Sequence, residues 1–151
     1  MGDRLAALRA ARAALESYVT ITAASHVYET QPAYVTDQPA FLNAAIVGTT
    51  QLDPLALLFT TKEIERQLGR KPTFHYGPRL IDIDIIFYDS LHMHAPELVL
   101  PHPLLAERSF VLRPLADIAG GWPHPVTSKT VREMLAALPE DDGARDTGEA
   151  L

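Results

Sequence analysis

The stretch "LIDIDIIFYD", residues 80–89, restricts the fold of this chain more than any other segment. Ile81, Ile83, Ile85 and Phe87 recur with the period of two that an extended strand requires, because successive side chains of a strand point to opposite faces. Those four can enter a core while Asp82 and Asp84 share the other face, about 6.6 Å apart along the chain. Two carboxylates so placed are hard oxygen donors with coordination positions left open, which suits Mg²⁺ carrying phosphate oxygens better than zinc. The plainer reading is that two acids decorate the wet face of an antiparallel sheet.

The rest of the chain supplies elements for such a strand to pack against. Leu5, Leu8, Ala11 and Leu15 recur at helical spacing after Asp3, which predicts an amphipathic helix over 3–18. Residues 19–30 and 41–52 are rich in β-branched side chains and read as two strands joined by the proline-containing loop "QPAYVTDQPA". Asp53 and Pro54 open a second helix whose inner face is Leu57, Leu58, Thr61, Ile64 and Leu68 and which Gly69 ends. "DSLHMHAPELVLPHP" reads as a turn and short strand, "LLAERSFVLRPLADIAG" as short helices, and Thr130 with Glu133 as a capping box for a last helix. His92 and His94 read as exposed turn residues and Trp122 as loop packing. One domain over 1–138 is expected, with 139–151 an acidic, disordered tail.

Composition narrows the function classes. With 151 residues, 47% of them hydrophobic, the chain can bury a core without staples, and it has no cysteine for disulfide or thiolate chemistry. No apolar run approaches the roughly 18 residues of a membrane span, and no secretory signal is visible, so a cytoplasmic protein without a membrane partner is expected. A net charge of −6 argues against a nucleic-acid partner. The arginines nonetheless gather around the acidic strand: Arg79 just before it, Arg70 beside Lys71 after the second helix, and Arg108 after the "PHP" turn that holds His102. Guanidinium forks bind phosphate oxygens bidentately, and singly each would be read as a solvated charge. There is no phosphate-binding glycine loop, so a nucleotide would be held by side chains and metal.

Three blocks, "YETQPAYVTDQPAFLNAA", "GPRLIDIDII" and "LPHPLLAERSFVLRPL", together resemble the 6-hydroxymethyl-7,8-dihydropterin pyrophosphokinases of folate biosynthesis. The resemblance implies an α+β fold, a ferredoxin-like antiparallel sheet with helices packed on it. It also implies transfer of pyrophosphate from ATP to the pterin hydroxymethyl group, releasing AMP, with two Mg²⁺ ions. By that resemblance Asp82 and Asp84 hold the metal, while Arg70 and Arg79 organise the phosphates and complete the catalytic set. Glu65, His102 and Arg108 match ATP-binding positions. Phe41 and Phe110 match the aromatic pair that sandwiches the pterin, Asn43 the amide that reads its polar edge, and Thr30, Pro32 and Tyr76 the remainder of that pocket. Read without the resemblance, Phe41 and Phe110 are core residues and Asn43 an ordinary strand-end amide.

Two departures stand out. Lys62 replaces the glutamine expected one turn before Glu65. The chain also opens at "MGDR", where the family has an apolar strand running into Gly-Ser-Asn, so the first strand is expected to be missing and its neighbours to be left with an uncovered apolar surface. One explanation is a start upstream of Met1, with about 8 to 12 further residues. The other is a genuine short chain with impaired folding or a partner lending a strand, which would make it a pterin- or nucleotide-binding module of weak activity.

Overall fold

The computed structural model describes residues 2–30, 41–69, 81–139 and 144–151. Helix α1 (Gly2–Leu15) buries Ala11 and Leu15 and lies against α2 (Pro54–Gly69). In α2 the sequence-predicted inner face is the observed one, with Thr61 and Ile64 buried, and Asp53 caps the helix by accepting the Ala56 N–H at 2.8 Å. Among the described residues no helix is long and apolar enough to cross a membrane.

The two long strands expected over 19–30 and 41–52 each divide in two. β1 (Val19–Ala24) pairs antiparallel with β4 (Ile46–Thr50), and β2 (His26–Thr30) with β3 (Phe41–Asn43). The break falls at Ser25, which is 2% exposed. Its N–H donates to the Ala45 carbonyl, while its hydroxyl accepts the Ala45 N–H and donates to the His26 carbonyl. A side-chain oxygen thus stands in for a strand carbonyl, the ladder bends without orphaning a backbone group, and the two halves enter different sheets. On β4 a Cβ at Gly48 would lie 2.6 Å from the Thr20 carbonyl oxygen and 2.6 Å from Val19 Cγ1, so only glycine permits the β1–β4 approach.

Residues 81–88 keep the expected alternation, Ile81 buried with Asp82 and Asp84 exposed, yet among the described residues they form no ladder with another strand. The strand predicted there is corrected in this respect: the side-chain pattern is present, and the described residues supply no pairing for it. No described segment runs between it and β4. The space is a cavity of about 530 Å³ whose inner walls include Leu8, Ala11, Val47, Ile81, Ile83 and Ile85. A strand pattern is ladder-competent only when a neighbour supplies the opposing N–H and C=O groups.

Further along, β5 (Met93–His94) and β6 (Val99–Leu100) form a small hairpin, and a 3₁₀ turn (Leu105–Glu107) leads into α3 (Ser109–Ala119). α4 (Val131–Ala136) begins at the capping box read from the sequence: Thr130 Oγ1 accepts the Glu133 N–H and the Glu133 carboxylate accepts the Thr130 N–H. Leu105, Leu112, Leu115, Val131 and Met134 make the core between α3 and α4. Trp122 stacks on Phe87 at 6.0 Å, so the residue expected as loop packing helps anchor the acidic segment to this core.

The tail departs from expectation. Ala144–Ala150 is a strand, β7, paired antiparallel with β2 to give the order β3-β2-β7. Arg145 pairs with Glu29, Asp146 with His26, Thr147 Oγ1 donates to the Val27 carbonyl, and the Arg9 guanidinium donates to the Ala150 carbonyl. These partners lie over a hundred residues away in sequence, and the tail has no apolar periodicity, so nothing local signals the strand. The architecture is α+β with antiparallel sheets.

His124 carries a pH prediction. Its Nδ1 accepts the N–H groups of Val126 and Thr127, each at 3.2 Å, and burial, followed by the neighbouring His92, holds the imidazole below its usual range. A depressed imidazole contributes stability that is complete above about pH 6.5 and is lost as the pH falls below it, when the unfolded chain takes up the proton more readily. Wild-type melting temperature should therefore fall more steeply from pH 7.5 to 5 than that of His124→Ala, which should itself lose roughly 1–2 kcal/mol at neutral pH with its two bonds. Parallel profiles would contradict this role.

Candidate active site

The β2–β3 hairpin builds one wall. Thr30 stands opposite Phe41 and Tyr28 opposite Asn43, and because opposed residues share a face, all four side chains project the same way. Phe41 is 53% exposed and Phe110, on the first turn of α3, is 37% exposed, values unlike those of core residues. The Arg108 guanidinium lies 5.7 Å from the Phe110 ring centroid, which steadies both side chains. Thr30 Oγ1 is buried with no hydrogen-bond partner among the described residues, the condition of a hydroxyl that a ligand's polar edge would satisfy.

Tyr28 is a site-supporting residue that sequence reasoning missed. Its hydroxyl donates to Asp117 Oδ2 at 2.5 Å, tying β2 to α3 beneath Asn43. Burial first, then the bond to Asp117, pushes the phenol far above its usual range, so it stays protonated and donating. Its place two residues before Thr30 was the available signal, since the two share a strand face; Asp117 gave no local one. Tyr28→Phe is expected to lower stability by roughly 1.5–3 kcal/mol, the range for a bond to a charged group. Denaturant unfolding measures it, and a change below about 0.5 kcal/mol would show the contact to be energetically idle.

The acidic segment forms the opposite wall. Asn43, Asp82, Asp84 and Phe110 all line the 530 Å³ cavity, while Asp84 also lines a second cavity of about 250 Å³ together with Lys62 and His102. The larger space therefore joins the site mouth to the apolar gap between β4 and 81–88. The "PHP" turn is held on the acidic segment by the His102 N–H, which donates to the Ile86 carbonyl at 3.0 Å. His102 Nδ1 accepts the Leu104 N–H at 3.2 Å, leaving Nε2–H as a donor. Burial lowers the His102 imidazole below its ordinary value, Asp84 opposes that shift, and Arg108 adds to it.

Of the sequence-predicted residues, the structure thus brings Asn43, Asp82, Asp84 and Phe110 to one cavity and His102 to its neighbour across Asp84. Thr30 and Phe41 stand on the adjoining hairpin. Glu65 is buried on α2 with its carboxylate turned to the acidic segment, accepting the Ile83 N–H at 2.6 Å, and it lines neither cavity. Pro32, Arg70, Tyr76 and Arg79 lie outside the described residues. Two carboxylates on one face, both solvent-accessible and bordering a cavity, form a donor set that fits a six-coordinate Mg²⁺ retaining water and phosphate oxygens.

In this α+β chain the carboxylate pair thus lies between an aromatic and amide wall and a histidine-bearing cleft. The family model for 7,8-dihydro-6-hydroxymethylpterin-pyrophosphokinase (HPPK) matches residues 1–120, and the chain belongs to that family. It is 38% identical over 147 residues to a 2-amino-4-hydroxy-6-hydroxymethyldihydropteridine pyrophosphokinase of Bacillus subtilis, covering 96% of this chain and 83% of that one. It is 42% identical over 140 residues to the protein of the same name from Methylorubrum extorquens, covering 91% and 87%. It also matches a mitochondrial folate synthesis bifunctional protein of Arabidopsis thaliana at 51% identity over 102 residues, 68% of this chain. The chain spans 17% to 25% of the length of that protein and the other folate synthesis proteins it matches.

Proposed function

We propose that the protein transfers a pyrophosphoryl group from ATP to 6-hydroxymethyl-7,8-dihydropterin. The hydroxymethyl oxygen would attack the β-phosphorus, the bond from that phosphorus to the oxygen bridging it to the α-phosphorus would break, and AMP would leave while the hydroxyl proton passes to solvent. The observation that carries this reading is the family match over residues 1–120, which includes the exposed pair Asp82 and Asp84 at the border of the larger cavity. Asp82 and Asp84 would hold two Mg²⁺ ions, which offset charge on the attacking and leaving oxygens of an in-line displacement.

The other roles follow the site. Phe41 and Phe110 would stack on the two faces of the pterin, and Asn43 would offer its edge a donor and an acceptor together. Thr30, Pro32 and Tyr76 would complete that pocket. His102, uncharged at neutral pH, would donate a hydrogen bond from Nε2 to a phosphate oxygen, with Arg108, Arg70 and Arg79 supplying positive charge. A cytoplasmic setting belongs to the same proposal, in keeping with a chain that has no cysteine. Membership of the family and the retained carboxylates favour an enzyme over a binding module. Incubation with ATP, Mg²⁺ and the hydroxymethyl dihydropterin should yield AMP and the pterin diphosphate; ADP as the nucleotide product would refute the reaction class.

A further inference from the structure

Glu65 is 6% exposed and sits on α2, where the helix passes the acidic segment. Its Oε2 accepts the N–H of Ile83, the residue between Asp82 and Asp84, at 2.6 Å, and its Oε1 lies 3.4 Å from Lys62 Nζ. A backbone N–H in an extended segment points sideways, roughly perpendicular to the side chains on either face. Gripping that N–H therefore fixes the rotation of the segment about its own axis, and that rotation decides where the side chains at 82 and 84 point. The His102 N–H holds the same segment at the Ile86 carbonyl, so Glu65 and the histidine turn fix it at two points.

We propose that Glu65 is a positioning residue for the metal pair: its carboxylate holds the backbone between Asp82 and Asp84 and aims both acids at a shared divalent cation. The inference rests on the metal-binding reading of those two acids. Lys62 supports the arrangement by offsetting the charge of a buried carboxylate from the water side.

Mn²⁺ serves as the probe, titrated calorimetrically into the full chain with saturating ATP present, alongside pterin affinity read by fluorescence and amide exchange followed at Ile83. Glu65→Gln keeps an acceptor oxygen and should hold Mn²⁺ affinity within about threefold. Glu65→Ala should weaken Mn²⁺ binding by tenfold or more and unprotect the Ile83 amide, while pterin affinity stays unchanged. Glu65→Asp withdraws the carboxylate by one methylene and should behave as the alanine variant does, which keeps the test decisive if the alanine variant does not fold. Unchanged Mn²⁺ affinity in Glu65→Asp, or an equal loss of pterin affinity, overturns the positioning role alone. Failure of the wild-type chain to bind Mn²⁺ overturns the metal reading and the inference together.

Discussion

Replacing Asp82 or Asp84 with alanine should lower turnover by on the order of 10³-fold, with little effect on folding. Each carboxylate would anchor the cations that neutralise charge developing on the phosphate oxygens, and a group that acts mainly in the transition state costs rate more than binding when it is removed. Both side chains are exposed in the folded protein, so their loss creates no cavity. Stability should stay within about 0.5 kcal/mol of wild type, as for ordinary surface substitutions. Pterin affinity, read by fluorescence, should also survive, because the aromatic pair and Asn43 stand on other elements. Steady-state assay of AMP release in the two variants checks this. Two active variants would show that the acids only solvate a sheet face.

The second large effect is structural. Leu112 is 0% exposed, and it lies in the α3–α4 core together with Leu105, Leu115, Val131 and Met134. Leu112→Ala should cost about 3–4 kcal/mol, the sum of lost transfer free energy and an incompletely collapsed cavity. Against a typical domain stability of about 5–15 kcal/mol, that is a large fraction. Leu112→Met, which conserves volume, should cost less than about 1.5 kcal/mol. Denaturant midpoints for the pair measure the effect, and equal midpoints would show that this core is loosely packed. Loss of Leu112 should also reach the site, since Phe110 and Arg108 stand at the start of the same helix.

Legibility in the sequence followed the range of the interaction. The α2 helix, its Asp53 cap and the Thr130–Glu133 capping box were readable because each is made by residues within four positions of one another. The alternation at 81–88 was readable for the same reason, and the burial of Ile81 against exposed Asp82 and Asp84 agrees with it. The bend at Ser25 was not, because a serine in a β-rich run says nothing until Ala45 is opposite it. Nor was β7, whose charged side chains Arg145, Asp146 and Glu149 find partners on β2 and α1. The aromatic site residues lay between these extremes. Local pattern placed Phe41 and Phe110 in the core, and only the three-block resemblance marked them for a ligand.

The sequence by itself determined which residues have the chemistry: two acids on one strand face, a histidine turn, arginines nearby, and an amide beside aromatics. These are matters of side-chain type and short-range period. Tertiary structure alone decided that Asp84 borders two cavities, that Tyr28 braces the hairpin through Asp117, and that Glu65 holds the backbone between the acids. Each of those depends on a partner brought in by long-range packing. In the opening stretch, the period set which way the acids could face, and a buried carboxylate on another element set where they aim.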